Sequence, residues 1–235
     1  MTDFHGEFRT FTDAGVLTRE LAERILVLLN EGIRCRGQAI LVVSGGTTPV
    51  PLFQMLSGVD LAWDKVVVTL ADERWVKPDS PDSNEHLVRT HLLKNRAAAA
   101  TFIGLKTPDH TAAAGEPACN QRICQIPLPF DILILGMGGD GHTASLFPGA
   151  AALPRALDMT QDKRCMAVSP PAAPHDRMTL TLPALLDSRH IFIHITGTSK
   201  RQVYEKAVAG ESFEEMPIRA ILGQKTAPVT IWWAP

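Results

Sequence analysis

The sequence predicts an α/β protein built around one mostly parallel sheet. Short apolar runs recur along the chain with helical patterns between them, which is typical of strands that alternate with helices. Glycine-rich or polar clusters directly follow several of these runs. A length of 235 residues fits one sheet of this class. We therefore expect a single domain over residues 1–235.

The composition favours a packed protein that acts on a small molecule. Hydrophobic residues make up 45% of the chain and charged residues 20%, which argues against disorder. The net charge of −2 gives no electrostatic reason to expect nucleic acid or an anionic membrane as a partner. The amino-terminal segment carries charges, and no apolar run is long enough to span a bilayer. These observations predict a cytoplasmic location.

The four cysteines suggest neither a disulfide framework nor a zinc site. Cys35, Cys119, Cys124 and Cys165 form no CxxC pair and lack suitably spaced histidines. We expect buried or unused thiols, and neither a metal nor a cofactor.

The first predicted helix covers residues 17–29, where leucine and isoleucine recur at helical spacing. Gly32 is predicted to mark its end. A buried strand over residues 39–43 follows, and a second helix is expected from about Pro49.

Further apolar runs extend the same alternation. The remaining predicted strands cover residues 65–70, 131–135, 164–168, 191–196 and 228–232. The remaining predicted helices cover residues 84–93, 112–125 and 200–208, with a short helix or turn at 178–186. Polar clusters follow the strands at 44–49, 71–75 and 136–143. Because ligands bind beyond the carboxyl ends of strands in open α/β sheets, these clusters are expected to form one site.

The first cluster, Ser44-Gly45-Gly46-Thr47-Thr48-Pro49, lies between a strand and a helix. Backbone N–H groups at a helix amino terminus form a natural phosphate site. The alternative is a tight turn without a ligand. No GKS or GKT follows, so this is not a Walker loop.

The third cluster contains Gly136, Gly138 and Gly141, which match GxGxxG after a strand. A dinucleotide site is the first alternative, but Asp140 would bring a carboxylate toward the pyrophosphate. An acid/base role for His142 fits better, because imidazole can accept and return a proton near neutral pH. A structural or solvated histidine remains open on spacing alone, as does a salt-bridged surface role for Arg74.

Five segments together resemble the 6-phosphogluconolactonases: SGGTTP, ADERWV, DSNEHLVR, LGMGGDGHTASLFPG and GTSK. They occur in the same order between about residues 39 and 208. The resemblance implies a modified doubly wound (Rossmann-like) sheet with helices on both faces. This is the fold of the wider NagB/RpiA/CoA transferase-like group, which includes the glucosamine-6-phosphate deaminases.

The same resemblance implies roles for individual residues. His142 would be the general base, with Asp72 and Asp140 as polar neighbours and Arg74 near the lactone carbonyl. The loop formed by Ser44, Gly45, Gly46 and Thr47 would hold the phosphate together with Arg177 and Lys200. The implied reaction is hydrolysis of 6-phospho-D-glucono-1,5-lactone without metal or cofactor, by a monomer or weak homo-oligomer.

One departure separates this chain from the deaminases. They typically read GHIAFNEP, whereas this chain reads GHTASLFP and has Phe147 at the position of their acidic residue. This chain therefore lacks the carboxylate that the deaminases have at this position, and lactone hydrolysis is favoured. A deaminase or isomerase and a non-catalytic sugar-phosphate sensor remain as alternatives, and a nicotinamide dehydrogenase comes last.

Overall fold

The computed structural model describes residue 4 and residues 6–235. Its strands are β1 (Glu7–Thr10), β2 (Ala39–Val43), β3 (Val66–Leu70), β4 (Asp72–Arg74), β5 (Thr101–Ile103), β6 (Ile132–Leu135), β7 (Cys165–Val168), β8 (Arg177–Leu180), β9 (Ile191–Thr196) and β10 (Val229–Ala234). Its helices are α1 (Ala14–Arg36), α2 (Val50–Gly58), α3 (Asn84–His91), α4 (Ala112–Ile123), α5 (Leu153–Leu157), α6 (Leu182–Leu186), α7 (Thr198–Ala209) and α8 (Ile218–Leu222). None of the helices in the described residues is both long enough and apolar enough to cross a membrane.

The main sheet has seven strands in the order β1-β10-β9-β6-β2-β3-β5, and every pair in it is parallel. The chain moves outward from β2 to β3 and β5, and then returns to add β6 on the other side of β2. The connections therefore diverge between β2 and β6, which leaves a crevice at the carboxyl ends of these strands. The mostly parallel α/β sheet predicted from the sequence is confirmed.

A small antiparallel sheet stands apart from the main one, in the order β4-β8-β7. Its register pairs Asp72 with Thr179 and Arg74 with Arg177. The predicted strand at 164–168 is present, but it belongs to this second sheet. The prediction of a short helix or turn at 178–186 is wrong for its first part, because residues up to Leu180 form β8 and only α6 is helical.

The predicted end of the first helix at Gly32 is also wrong. Helix α1 continues to Arg36 and ends at Gly37, whose φ of 78° suits a glycine. Gly32 is buried inside the helix, where an added Cβ would lie 2.9 Å from the Cβ of Ala39. Glycine is therefore present at residue 32 because the helix packs closely on β2, and not because the helix stops there.

The elements that the sequence analysis left out are short: β1, β4, β5, α5 and α8. Strand β1 has a largely exposed burial pattern and is defined by its pairing with β10 at the edge of the sheet. The buried strands β2 and β9 have the predicted bounds. The predicted helices that became α3, α4 and α7 agree to within about two residues at their ends, and α2 begins one residue after its predicted start.

Candidate active site

A cavity of about 490 Å³ opens at the carboxyl ends of β2, β6 and β9 and is closed on one side by the small sheet. The structure brings nearly all of the predicted site residues to its wall: Ser44, Gly45, Gly46, Thr47, Asp72, Arg74, His142, Arg177 and Lys200. Asp140 does not line the cavity but contacts His142. The clusters predicted to converge therefore do so.

The loop after β2 presents backbone donors to the cavity. Ser44 anchors it by donating its Oγ to the carbonyl of Ile134, at 3.1 Å, which connects β2 with β6. Gly46 has a φ of 94°, a conformation that favours glycine. The N–H groups of Gly45, Gly46 and Thr47 have no hydrogen-bond partner in the described chain. Free donors at the start of α2 suit a phosphate oxygen.

His142 is held by the loop that follows β6. Its Nδ1 lies 2.6 Å from Oδ1 of Asp140, and its backbone N–H donates to the same oxygen at 3.1 Å. Gly138 donates its N–H to the His142 carbonyl at 2.8 Å. A Cβ on Gly138 would lie 2.1 Å from Nδ1. This glycine therefore allows the imidazole to pack against the loop.

Asp140 determines which nitrogen of His142 can act as a base. Burial opposes ionisation of Asp140, but its hydrogen bonds and electrostatic attraction with His142 outweigh burial and lower the pKa of Asp140. An ionised carboxylate at Nδ1 favours the proton on that nitrogen. Nε2 is then the nitrogen with a free lone pair, as an acid/base catalyst requires.

Phe147 forms an apolar wall beside this pair. Its ring is buried and lies 4.3 Å from the His142 ring, with 34° between the planes. The guanidinium of Arg177 lies 6.0 Å from the centre of the same phenyl ring. Because residue 147 is a phenylalanine, no carboxylate is present at the position where the deaminases have an acidic residue.

Arg74 and Arg177 face the cavity from paired positions on β4 and β8. Arg177 is only 5% exposed, and its Nη1 has no hydrogen-bond partner in the described chain. Burial, and then the charge of Arg74, lowers the pKa of Arg177, while the charge of Asp72 acts in the opposite direction. Arg74 is positioned by donating Nη1 to the carbonyl of Asp82, at 2.7 Å. An anion between the two guanidinium groups would relieve their repulsion.

Lys200 adds a third cation from the first turn of α7. Its Nζ donates to the carbonyl of Met137, at 2.6 Å, so the ammonium group is held beside the loop that follows β6. Gly197, with a φ of 91°, forms the turn that leads into this helix.

Asp72 belongs to a buried polar framework and does not contact His142 through a hydrogen bond. Its Oδ2 accepts from Ser145 Oγ at 2.6 Å, and Asn84 donates Nδ2 to its backbone carbonyl at 2.8 Å. The adjacent Glu73 is fully buried and accepts hydrogen bonds from residues 74, 83, 84 and 85. Burial raises the pKa of Glu73 even though these donors favour its ionised form. This framework fixes Asp72, Arg74 and the start of α3 relative to one another.

Asn84 and His194 are polar cavity residues that the sequence did not predict as part of the site. Asn84 follows Ser83 in the quoted DSNEHLVR segment, and its Oδ1 is buried without a partner. The Ser-Asn pair before a helix was a usable signal. His194 lies inside an apolar strand, where no neighbouring residue distinguishes a cavity histidine from a core one.

The described residues contain no group of three or more His, Cys, Asp or Glu side chains arranged to hold a metal ion. Of the two carboxylates expected to neighbour His142, Asp140 contacts it, whereas Asp72 is hydrogen-bonded to Ser145.

The fold and the cavity together define an α/β enzyme of the doubly wound class, with a loop of unbonded backbone N–H groups and a histidine–carboxylate pair at its switch point. The chain belongs to the family described as glucosamine-6-phosphate isomerases/6-phosphogluconolactonase, whose model matches residues 12–232.

Individual relatives agree with this assignment. The chain is 41% identical over 225 residues to a 6-phosphogluconolactonase of Rhizobium meliloti (strain 1021), covering 96% of this chain and 97% of the relative. It is 43% identical over 231 residues to a 6-phosphogluconolactonase of Mesorhizobium japonicum, covering 97% and 95%. The crystal structure of a 6-phosphogluconolactonase from Shewanella baltica OS155 has a TM-score of 0.97 and 46% identity, with 100% of both chains covered.

Proposed function

We propose that this protein hydrolyses 6-phospho-D-glucono-1,5-lactone to 6-phospho-D-gluconate, the second step of the oxidative pentose phosphate pathway. The observation that carries the proposal is the arrangement of one cavity. It combines the Asp140–His142 pair, at 2.6 Å, with three cationic side chains and a loop of free N–H groups. A sugar-phosphate lactone has a carbonyl carbon that can react beside the Asp140–His142 pair. It also has a phosphate group that the cations and the free N–H groups can bind.

The proposed reaction needs only a base, a positioned water and stabilisation of the carbonyl oxygen. Nε2 of His142 takes a proton from water as the water oxygen bonds to C1 of the lactone. The carbonyl electrons move to oxygen, and Arg74 stabilises the resulting negative charge. When the intermediate collapses, the bond from C1 to the ring oxygen breaks, and protonated His142 returns its proton to that oxygen. Asp140 holds the imidazole in the required tautomer throughout.

The phosphate is proposed to bind at the loop that follows β2, within reach of two of the cavity's cations. Gly45, Gly46 and Thr47 provide backbone donors, while Arg177 provides a planar guanidinium and Lys200 a point charge. Ser44 fixes the loop through Ile134. Because the phosphate does not react, its binding orients C1 toward His142.

We also propose that the chain acts as one domain and in the cytoplasm, with the small-molecule lactone as its partner and without nucleic acid, a membrane, a metal or a cofactor. Glucosamine-6-phosphate deamination is the rival on this fold. The burial of Phe147 against His142 disfavours it, because no acid is available at that position.

The direct test is acid release from freshly generated 6-phosphoglucono-δ-lactone, followed at constant pH and corrected for spontaneous hydrolysis. Enzyme-dependent release that falls by roughly 100-fold or more in His142→Ala supports the proposal. Glucosamine 6-phosphate is assayed in parallel for ammonia. Ammonia release without lactone hydrolysis would establish the rival, and tight 6-phosphogluconate binding with neither reaction would indicate a sensor.

A further inference from the structure

A second histidine, His194 on β9, lines the cavity but has no role in the reaction proposed above. The residue is only 4% exposed. Its Nδ1 is enclosed without a hydrogen-bond partner, and Nε2 makes no hydrogen bond in the described chain. Leaving both nitrogens of a buried imidazole unpaired is costly, and a ligand in the cavity that hydrogen-bonds to Nε2 would recover part of that cost.

The neighbouring strand leaves space for such a ligand. Gly136 follows β6 and also lines the cavity. A Cβ added to Gly136 would meet no atom within 4 Å. The cavity wall therefore has open space at Gly136, and His194 lines the same cavity. Since Nδ1 is enclosed, Nε2 is the nitrogen that a ligand in the cavity can reach.

The charge state of His194 indicates which part of a substrate it suits. Burial lowers its pKa to about 4, so the ring is neutral at pH 7 and offers one donor and one acceptor. The cavity already has Arg74, Arg177 and Lys200 for an anion. A hydroxyl group also donates one hydrogen bond and accepts others, and it is the natural partner of a neutral imidazole.

Trp232 provides an internal comparison. It is the Cα partner of His194 on β10, and its Nε1 is also buried without a hydrogen-bond partner. Trp232, however, does not line the cavity. His194 and Trp232 are therefore neighbours that each have a buried nitrogen without a partner. Only His194 lines the cavity, where a bound molecule can reach it.

We propose that His194 binds a ring hydroxyl of the lactone through Nε2 and so helps to select polyhydroxylated substrates. This inference rests on the proposed lactonase function. His194 is a substrate-binding residue and takes no part in proton transfer to C1, so its loss should affect KM more than kcat.

The test compares His194→Phe with Trp232→Phe as the matched control, using both 6-phosphoglucono-δ-lactone and unphosphorylated glucono-δ-lactone. Both lactones carry ring hydroxyls, but only the first has a phosphate. Loss of one neutral hydrogen bond predicts that His194→Phe raises KM about 10-fold on both substrates. The value of kcat should stay within about 3-fold, and Trp232→Phe should leave both constants within about 2-fold. His194→Gln, whose amide can reach the position of Nε2, should recover part of the lost affinity.

An unchanged KM in His194→Phe would overturn the inference while leaving lactone hydrolysis by the native chain intact. An effect confined to the phosphorylated lactone would overturn it as well, because the contact would then be to phosphate. If the variants do not fold, the native protein is labelled with ¹⁵N-histidine and titrated with 6-phosphogluconate. The His194 ring nitrogens should then shift on binding, and unchanged resonances at saturation would count against the proposal.

Discussion

A short loop holds His142 in the orientation that the proposed proton transfer requires. Asp140, only two residues away, contacts both the ring and the backbone N–H of His142. Gly138, two residues before Asp140, provides the space for the imidazole ring. Sequence spacing predicted the histidine but could not show that Asp140, and not Asp72, would be its partner. That choice depends on the turn between Gly138 and Gly141, which is closed by a backbone hydrogen bond of 3.2 Å.

The first prediction concerns His142→Ala. We expect kcat to fall by roughly 100-fold or more, the usual scale for loss of a general base. The side chain is 31% exposed, so truncation should leave folding and 6-phosphogluconate binding intact. The initial rate at pH 7 and calorimetric binding of the product measure the two effects. His110→Ala, at an exposed position outside the cavity, is the control, and a near-native rate in His142→Ala would exclude this residue as the base.

A second prediction concerns Arg177 and Lys200, the two cationic side chains proposed to bind the phosphate. Arg177→Met and Lys200→Met should each cost about 1.5–3 kcal/mol in kcat/KM on the phosphorylated lactone. Most of this loss should be in KM, because the phosphate is held alike before and during reaction. Methionine keeps much of the apolar stem. Steady-state kinetics on both lactones would measure the effect.

Two observations check the assignment of these cations. Lys163→Met removes a lysine that pairs with Glu116 outside the cavity, and it should change neither constant. The slow hydrolysis of glucono-δ-lactone should scarcely respond to the two cavity substitutions. Equal losses on both lactones would mean that Arg177 and Lys200 do not bind the phosphate.

At the level of secondary structure, the sequence predicted elements with a strong pattern of their own and missed those that depend on partners. Strand β2 consists of five buried residues and was predicted with its observed bounds. Strand β4 has three residues, Asp-Glu-Arg, and exists because β8 pairs with it. No local signal distinguishes such a segment from a loop. Gly32 was misread for a related reason, since its close contact is with a residue outside its own helix.

The third prediction follows from this reading of Gly32. In Gly32→Ala the new Cβ would lie 2.9 Å from the Ala39 Cβ and 3.1 Å from Asp131 Oδ1. We expect a loss of about 1–3 kcal/mol in unfolding free energy, because neither neighbour can easily move. Urea denaturation would measure it, and kcat should be unchanged, since Gly32 lies outside the cavity.

Gly58→Ala is the matched substitution in another helix. Gly58 is exposed in α2, and a Cβ there would meet no atom within 4 Å. Gly58 is the last residue of α2, where the interior propensity difference applies only in part, so alanine should stabilise the protein by up to about 0.5 kcal/mol. A stabilising effect of Gly32→Ala would show that α1 does not pack against β2 as closely as described.

On the scale of the whole molecule, the cavity depends on the order of strands in the main sheet. The glycine loop and the histidine loop follow β2 and β6, which are adjacent although 88 residues lie between Val43 and Ile132 in the sequence. The two arginines come from a separate sheet and the lysine from α7. The sequence predicted that these segments meet, because carboxyl ends of parallel strands share one edge. It did not predict the separate antiparallel sheet that positions Arg74 and Arg177.

The last prediction follows from the origin of the cavity residues in segments that lie far apart in the sequence. A ligand that contacts several of these segments binds the folded chain and not the unfolded one, so it must stabilise the whole molecule. At 100 times its Kd, 6-phosphogluconate should add about 2.7 kcal/mol. For a chain of this size that corresponds to a Tm increase of roughly 5–10 °C, measurable by differential scanning calorimetry. Gluconate at the same concentration lacks the phosphate and should produce a much smaller shift.

Exhaustive treatment with a chelator should leave the 6-phosphogluconate shift unchanged, because no metal is needed for the proposed contacts. A shift that disappears on chelation and returns with one divalent ion would instead show that a metal helps to hold the ligand, with Asp72, Asp140 and His142 as the first residues to examine.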